Sequence, residues 1–404
     1  MMEKFVCKHP WSHFEVNNPN GDVTMCCNND WVLGNVNEGS VADIWNGEGF
    51  KASRKRMLDD GAHAMCPHTC PVLQGGKRYE NMDWFDELSE DGEPRQNAEL
   101  NEQEFSEEKT ELESWPRWLR FTYSYACNLD CYHCYQREDA KMRVKLPEQF
   151  MAELPKYSSK AQVIMPFGGE PFYFKPVLEY LSGHNANLET RFYFITNATL
   201  LTDRVHEIIE RVPITCVAAS LDAATAESFE ALRVRGRNAD WQSAIDNLKR
   251  LGEMKQHKDF TFTLSMTVNT VNCHEVEDFV DLALGLGAEP LMLLVANPYQ
   301  QLDFQKKYLT FTDSQFEEMF RAIERCLPKV QAQGFKDSET CLNQLRTVLM
   351  QHRDGDNIPA RFLAKNVARK AFHLLPEQLQ IPVRKAVQKA RTRRFEKYNA
   401  KEST

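Results

Sequence analysis

The sequence predicts an α/β protein built on a parallel sheet, and three observations predict it. Between Pro116 and Pro298, six short β-rich runs alternate with amphipathic helical stretches. Each run is trailed by a helix, as parallel neighbours require for their crossovers. Polar and cysteine-rich clusters fall at the carboxyl ends of the runs, where such sheets bind ligands whether they stay open or curl into a partial barrel. The strand candidates are residues 118–125, 161–166, 191–195, 214–221, 260–268 and 290–296, and helices begin near Pro147, Lys175, Asp203, Thr225, Trp241 and His274. Beyond Pro298 the pattern is all-helical, with helices expected over 313–333 and 339–352.

The flanks differ from this centre. At roughly 150 residues per domain, a chain of 404 residues suggests two or three domains. Its 42% hydrophobic and 26% charged content excludes collagen-like and wholly disordered classes. No run approaches the length of a membrane-spanning helix. The first residues, Met-Met-Glu-Lys-Phe-Val-Cys, lack the apolar stretch of a secretory signal, so the expected location is the cytoplasm. The net charge of −9 conceals two opposed segments. Residues 80–114 hold 14 Asp/Glu against Arg95 and Lys109 and read as a solvated linker or insertion; residues 361–404 hold 12 Lys/Arg against Glu377, Glu396 and Glu402. That basic tail is either a solvated helical face or a dock for an anionic partner. A pI near 5.8, without aromatic-basic stacking patterns, argues against a primary nucleic-acid surface. The expected division is a cysteine-rich module over 1–78, the acidic linker or insertion over 79–115, the α/β core over 116–300 and a helical C-terminal extension over 301–404.

Twelve cysteines in a reducing compartment point to metal sites rather than disulfides. Cys127, Cys131 and Cys134 follow directly on the first predicted strand, in Phe-Thr-Tyr-Ser-Tyr-Ala-Cys-Asn-Leu-Asp-Cys-Tyr-His-Cys-Tyr. Three thiolates from one loop can hold three irons of a cubane 4Fe-4S cluster and leave the fourth iron open to a ligand. A structural zinc site is the alternative, although it wants four closed ligands and would need His133 to complete it.

With this spacing after the first strand, the chain resembles the radical S-adenosylmethionine (SAM) enzymes over about residues 116–300. The likeness implies a partial (β/α)6 barrel and places further residues at successive strand ends. His133, just before the third cysteine, holds the position that contacts adenine. Gly168, Gly169 and Glu170 resemble the segment that receives the SAM amino group; bare backbone permits close approach and a carboxylate pairs with an ammonium. Thr196-Asn197-Ala198 stands where the family commonly has threonine-asparagine-glycine. Ser220 and Asp222 share a face by the two-residue period and suit ribose hydroxyls. Arg233, with Arg235 as a rival, matches the arginine that pairs with the SAM carboxylate, and Thr267 and Asn269 are expected near ribose or adenine.

The other cysteine set runs Cys7, Gly21, Cys26, then Leu33-Gly34-Asn35, Asp43-Ile44-Trp45-Asn46-Gly47, and finally Cys66 and Cys70. Two pairs flanking a folded insert suit a fully ligated four-thiolate site. The pattern is similar to the twitch or SPASM-like auxiliary-cluster module of some radical SAM enzymes. Here it precedes the barrel instead of following it, and three residues rather than two separate its last pair. Cys27 remains a rival to Cys26, and a four-cysteine zinc site is the alternative.

The resemblance implies an oxidoreductase or maturase-type enzyme. Reductive cleavage of SAM would yield a 5′-deoxyadenosyl radical that abstracts hydrogen from a peptide or small-molecule substrate. A second 4Fe-4S cluster would favour oxidation or oxidative bond formation, and an external donor such as flavodoxin or ferredoxin would feed the site. The alternatives are a redox-neutral epimerase or a dehydrogenase of a sugar-like small molecule, and a non-catalytic metal-binding protein. Epimerisation needs a thiol near the radical. Cys216 lies ~13 Å of strand below Ser220 and reads as core, which leaves Cys273 as the better candidate.

Overall fold

The computed structural model describes residues 5–67, 70, 73, 88–89, 91–134, 136, 144–185, 188–233, 240–293 and 309–353. The basic tail, Arg235 and the end of the last predicted core strand lie outside the described residues. Among the described residues nine strands form one open sheet: β1 (His13–Val16), β2 (Asp22–Thr24), β3 (Gly34–Asn35), β4 (Trp118–Thr122), β5 (Val163–Phe167), β6 (Arg191–Thr196), β7 (Ile214–Ser220), β8 (Thr261–Thr267) and β9 (Glu289–Leu293). Their order is β3-β2-β1-β4-β5-β6-β7-β8-β9. From β4 to β9 every neighbour is parallel, as the strand–helix alternation predicts. The sheet is an unclosed α/β one, and the helices Asp313–Ala332 and Lys336–Arg353 supply the helical C-terminal region.

The two faces of the sheet differ, and the period of two explains why. Phe14, Leu119, Phe121, Ile164, Phe192, Phe194, Val217, Phe262 and Leu264 are fully buried on the helix-covered face. Along β6 the alternate residues Arg191, Tyr193 and Ile195 are only half-buried, as are Ala218 and Ser220 on β7 and Ser265 and Thr267 on β8. The second face therefore retains access to solvent beneath the loops that carry the predicted site.

The N-terminal module does not stand apart from this sheet. β1 pairs parallel with β4, His13 opposite Trp118 and Glu15 opposite Arg120, while β2 and β3 extend the sheet antiparallel beyond it. Trp11, Phe14, Trp45 and Phe50 are fully or nearly fully buried there. Phe14 and Phe50 stack at 5.9 Å.

Within the acidic segment, expected as a solvated linker or insertion, residues Glu93–Ser106 form a helix that Pro94 opens at its first turn. Its buried face carries Asn97, Ala98, Asn101 and Glu104, spaced as one helical stripe. Asn101 Nδ2 donates to the Trp11 carbonyl at 2.6 Å and to Ser114 Oγ at 2.9 Å. Asn97 Nδ2 donates to the carbonyls of Trp115 and Lys160, both at 3.1 Å. Glu104 accepts from the backbone N–H groups of Glu113 and Ser114 and sits near the buried Arg54. These polar side chains satisfy otherwise orphaned backbone groups between module and core, so a pattern of apolar periodicity cannot reveal them. No helix among the described residues is long and apolar enough to cross a membrane.

Candidate cluster and cofactor site

The loop after β4 is clasped at three places. At its start, Gly169 N donates to the Ser124 carbonyl at 3.0 Å. A Cβ on Gly168 would lie 2.4 Å from the Ser124 oxygen, and one on Gly169 would lie 2.1 Å from the Ala126 oxygen. The bare backbone expected to admit a ligand thus first admits the cysteine loop itself, and Gly168 also takes φ 150°. In the middle, Asn197 Nδ2 reaches Cys127 Sγ at 3.6 Å and Asn128 Oδ1 at 2.9 Å. At the far end, Tyr132 N donates to the Leu232 carbonyl, and His133 Nε2 meets Asp222 Oδ2 at 2.9 Å.

Glu170 organises the ends of β5 and β6. Its buried carboxylate accepts from Thr196 Oγ1 at 3.0 Å, Asn197 N at 2.8 Å and Phe172 N at 3.3 Å. A carboxylate has about four acceptor sites, so these three donors leave little more than one for a ligand. Burial pushes its pKa up to about 7 in spite of them. Ala198 makes the turn where the family commonly has glycine, at φ 62°, a left-handed conformation that costs a non-glycine residue ~1 kcal/mol.

At the ends of β7 and β8 the centre is Asp222, itself at φ 61°. Arg233 Nη2 donates to Asp222 Oδ2 at 2.7 Å, and Thr267 N donates to Asp222 Oδ1 at 2.7 Å. Burial opposes ionisation of Asp222, but His133 and Arg233 outweigh it and hold the carboxyl well below the usual range. Two of the matched residues have protein partners here. Arg233, matched to the arginine that pairs with the SAM carboxylate, is almost fully buried and gives Nη2 to Asp222 and to the Ser220 carbonyl. Asn269, expected near ribose or adenine, spends its amide on its own turn: Nδ2 to the Thr267 carbonyl, Oδ1 accepting from Val271 N. Asp222 is expected on ribose, and here its carboxylate serves protein partners first.

Several organising residues escaped the sequence reading. Asn128 bridges Asn197 and Thr199. Asn272 donates to the carbonyls of Asp222 and Thr267 at 2.8 and 3.0 Å. A lone asparagine in a loop carries no spacing signal, and only the position of Asn128 between two cysteines marks it. Cys273 is buried with its thiol toward the Thr270 carbonyl, and Cys216 is buried in β7.

The triplet suits a cationic metal cluster. Burial pushes the thiols of Cys127 and Cys131 up to about 12 and about 11, and only Arg233 offsets this at Cys131. Such thiols ionise when a metal supplies positive charge. The N-terminal cysteines are likewise held near one another by buried loop contacts. Asn29, almost fully buried, links the Cys26 turn to the Met65 carbonyl, and Ala62 N donates to the Phe5 carbonyl beside Cys7. Cys7 lies within electrostatic reach of Cys66 and Cys70, and burial lifts it to about 12. Cys26 is buried and interacts with Cys7, whereas Cys27 is exposed and interacts with Cys70. Among the described residues no three His, Cys, Asp or Glu side chains close on a single metal ion.

Residues 121–283 match the Radical SAM superfamily profile, and residues 7–71 match that of the SPASM iron-sulfur cluster-binding domain. The chain thus carries a radical SAM domain, and an iron-sulfur cluster-binding domain precedes it. Its cofactors are accordingly a 4Fe-4S cluster with SAM and an auxiliary iron-sulfur centre. It is similar to the AdoMet-dependent heme synthase of Methanosarcina barkeri, 25% identical over 43% of this chain and 48% of that one. It is also similar to mycofactocin maturase MftC of Mycolicibacterium smegmatis, 28% identical over 43% of each chain. The matched stretch is under half the length of either relative. Among solved structures, SuiB of Streptococcus suis covers 71% of this chain and 63% of its own, at 14% identity and a TM-score of 0.43.

Proposed function

We propose that this chain is a radical SAM oxidoreductase of the maturase type, oxidising a peptide or small-molecule substrate. The observation that carries the reading is the convergence at the sheet's carboxyl edge. One loop presents Cys127, Cys131 and Cys134; Glu170 and Asn197 clasp one end of it and the Asp222–His133 contact the other. In this reading those three cysteines hold the first cluster, and Cys7, Cys26, Cys66 and Cys70 hold the second, with Cys27 a rival to Cys26. When bound, the first cluster and SAM supply reductive cleavage to a 5′-deoxyadenosyl radical, and the second cluster supplies an electron acceptor.

The chain's own part is positioning. Gly168 and Gly169 bring the cysteine loop against β5, and Glu170 fixes the Thr196–Asn197 turn and leaves an acceptor direction for an ammonium. Arg233 holds Asp222, which in turn holds His133 in the place proposed for adenine. Ser220 and Thr267 face the open side of the sheet, where the half-buried Trp118, Tyr193, Ile195 and Ser265 offer a mixed aromatic and polar floor to the substrate. An oxidation is favoured over epimerisation because the best thiol candidate, Cys273, points into its own turn.

The test is anaerobic reconstitution of the whole chain, with iron, sulfide and zinc counted, followed by incubation with SAM and a strong reductant. About eight irons per chain and formation of 5′-deoxyadenosine are expected, and about four irons with no cleavage product in a Cys127→Ala, Cys131→Ala, Cys134→Ala variant. Intact clusters with no 5′-deoxyadenosine from the whole chain would overturn the enzymatic reading.

A further inference from the structure

The Glu15–Arg120 ion pair joins the two cysteine-bearing parts of the molecule. Glu15 on β1 stands opposite Arg120 on β4 and, across the other edge of β1, opposite Thr24 on β2. Thr24 lies two residues before Cys26, and its Oγ1 donates to the Cys26 carbonyl at 3.0 Å. Arg120 Nη1 donates to Glu15 Oε2 at 3.0 Å and to Asn17 Oδ1 at 2.9 Å. Its guanidinium lies 4.2 Å from the centre of the Phe167 ring, one residue before Gly168. The side chains are only 12% and 5% exposed.

A buried ion pair is a poor source of stability, because desolvation offsets the attraction and an apolar pair of similar volume packs as well. What an apolar pair cannot supply is charge. In a low-dielectric interior a fixed charge acts strongly on its surroundings, and local charge and hydrogen bonding set the potential of an iron-sulfur cluster. Glu15 stands on the strand next to Thr24, two residues before Cys26, whereas Arg120 lies one strand further from that turn.

We propose that Glu15 and Arg120 are a positioning pair that sets the reduction potential of the cluster held by the N-terminal cysteines, with Glu15 dominant. This rests on the reading that those cysteines hold an iron-sulfur cluster. A carboxylate beside the centre disfavours the added electron, so the pair keeps that potential low and Arg120 moderates the effect. Neither residue is a metal ligand in this reading.

The experiment uses the full chain with Cys127→Ala, Cys131→Ala and Cys134→Ala, so that one cluster gives the signal. Iron and sulfide are counted, and the midpoint potential is read by EPR-monitored redox titration for this parent and for Glu15→Gln, Arg120→Gln and the double variant. The expected result is an upward shift for Glu15→Gln, a downward shift for Arg120→Gln, and a double variant between Glu15→Gln and the parent. If a single variant leaves a buried unpaired charge and does not load iron, the neutral double variant decides, since its potential must still lie above the parent's. Equal potentials at equal iron content overturn the inference and leave the second cluster standing. A parent that binds zinc or no iron overturns the cluster reading and the inference with it.

Discussion

Replacing Asp222 with asparagine keeps the shape of the side chain and removes one charge. Oδ1 can still accept from Thr267 N, but Oδ2 receives both Arg233 Nη2 at 2.7 Å and His133 Nε2 at 2.9 Å. An amide that retains the first contact points its NH2 at two donors, and one that flips loses the Thr267 bond. Two hydrogen bonds to a charged group, worth ~1.5–3 kcal/mol each, are at stake. The Arg233 side chain is only 3% exposed and is left without its counterion. Breaking a buried pair from one side costs ~3–5 kcal/mol, which overlaps that sum. At ~2–4 °C per kcal/mol, the metal-free protein should lose on the order of 10 °C in Tm by calorimetry. Pairing Asp222→Asn with Arg233→Met removes the stranded cation, so the double variant should be more stable than Asp222→Asn alone. A single variant within ~2 °C of the wild type, or strictly additive losses, would refute a tightly coupled network.

Two further outcomes are expected. Gly169→Ala places a methyl group 2.1 Å from the Ala126 oxygen, so the cysteine loop must move; iron bound at the triplet after reconstitution should fall severalfold, while iron bound by the N-terminal cysteines stays. Burial raises Glu170 from 4.5 to about 7, so folding favours its protonated form. The stability it contributes is full below pH 4.5 and is lost as pH rises through 7, a change of ~3 kcal/mol in the metal-free protein. Urea unfolding between pH 5 and 8 should show that decline, and Glu170→Gln should flatten it.

The core strands were legible because alternation of buried and half-buried residues leaves a period of two, as in Arg191–Thr196. The metal-ligand candidates were legible because a cluster fixes cysteine spacing within one loop. Roles that depend on a partner distant in sequence were not. Nothing local in Arg233 says whether it faces a ligand or Asp222, and nothing in Asn269 reveals that its own turn consumes its amide. Asn97, Asn101 and Glu104 misled for a related reason: composition counts them as polar and solvated, while backbone groups up to 90 residues away claim them. Ala198 shows the opposite case, in which tertiary context holds a conformation its side chain disfavours.

The seating of β1 beside β4 also has a consequence for how the chain matures on the ribosome. Glu15 and Arg120 are 105 residues apart, so β1 emerges long before the strand that completes it. Until then one side of the β1–β3 hairpin stack exposes unpaired backbone groups. Contacts of such long range slow folding and lengthen the time a nascent edge is open to misassembly. The edge of the N-terminal module is therefore completed only when β4 pairs with β1.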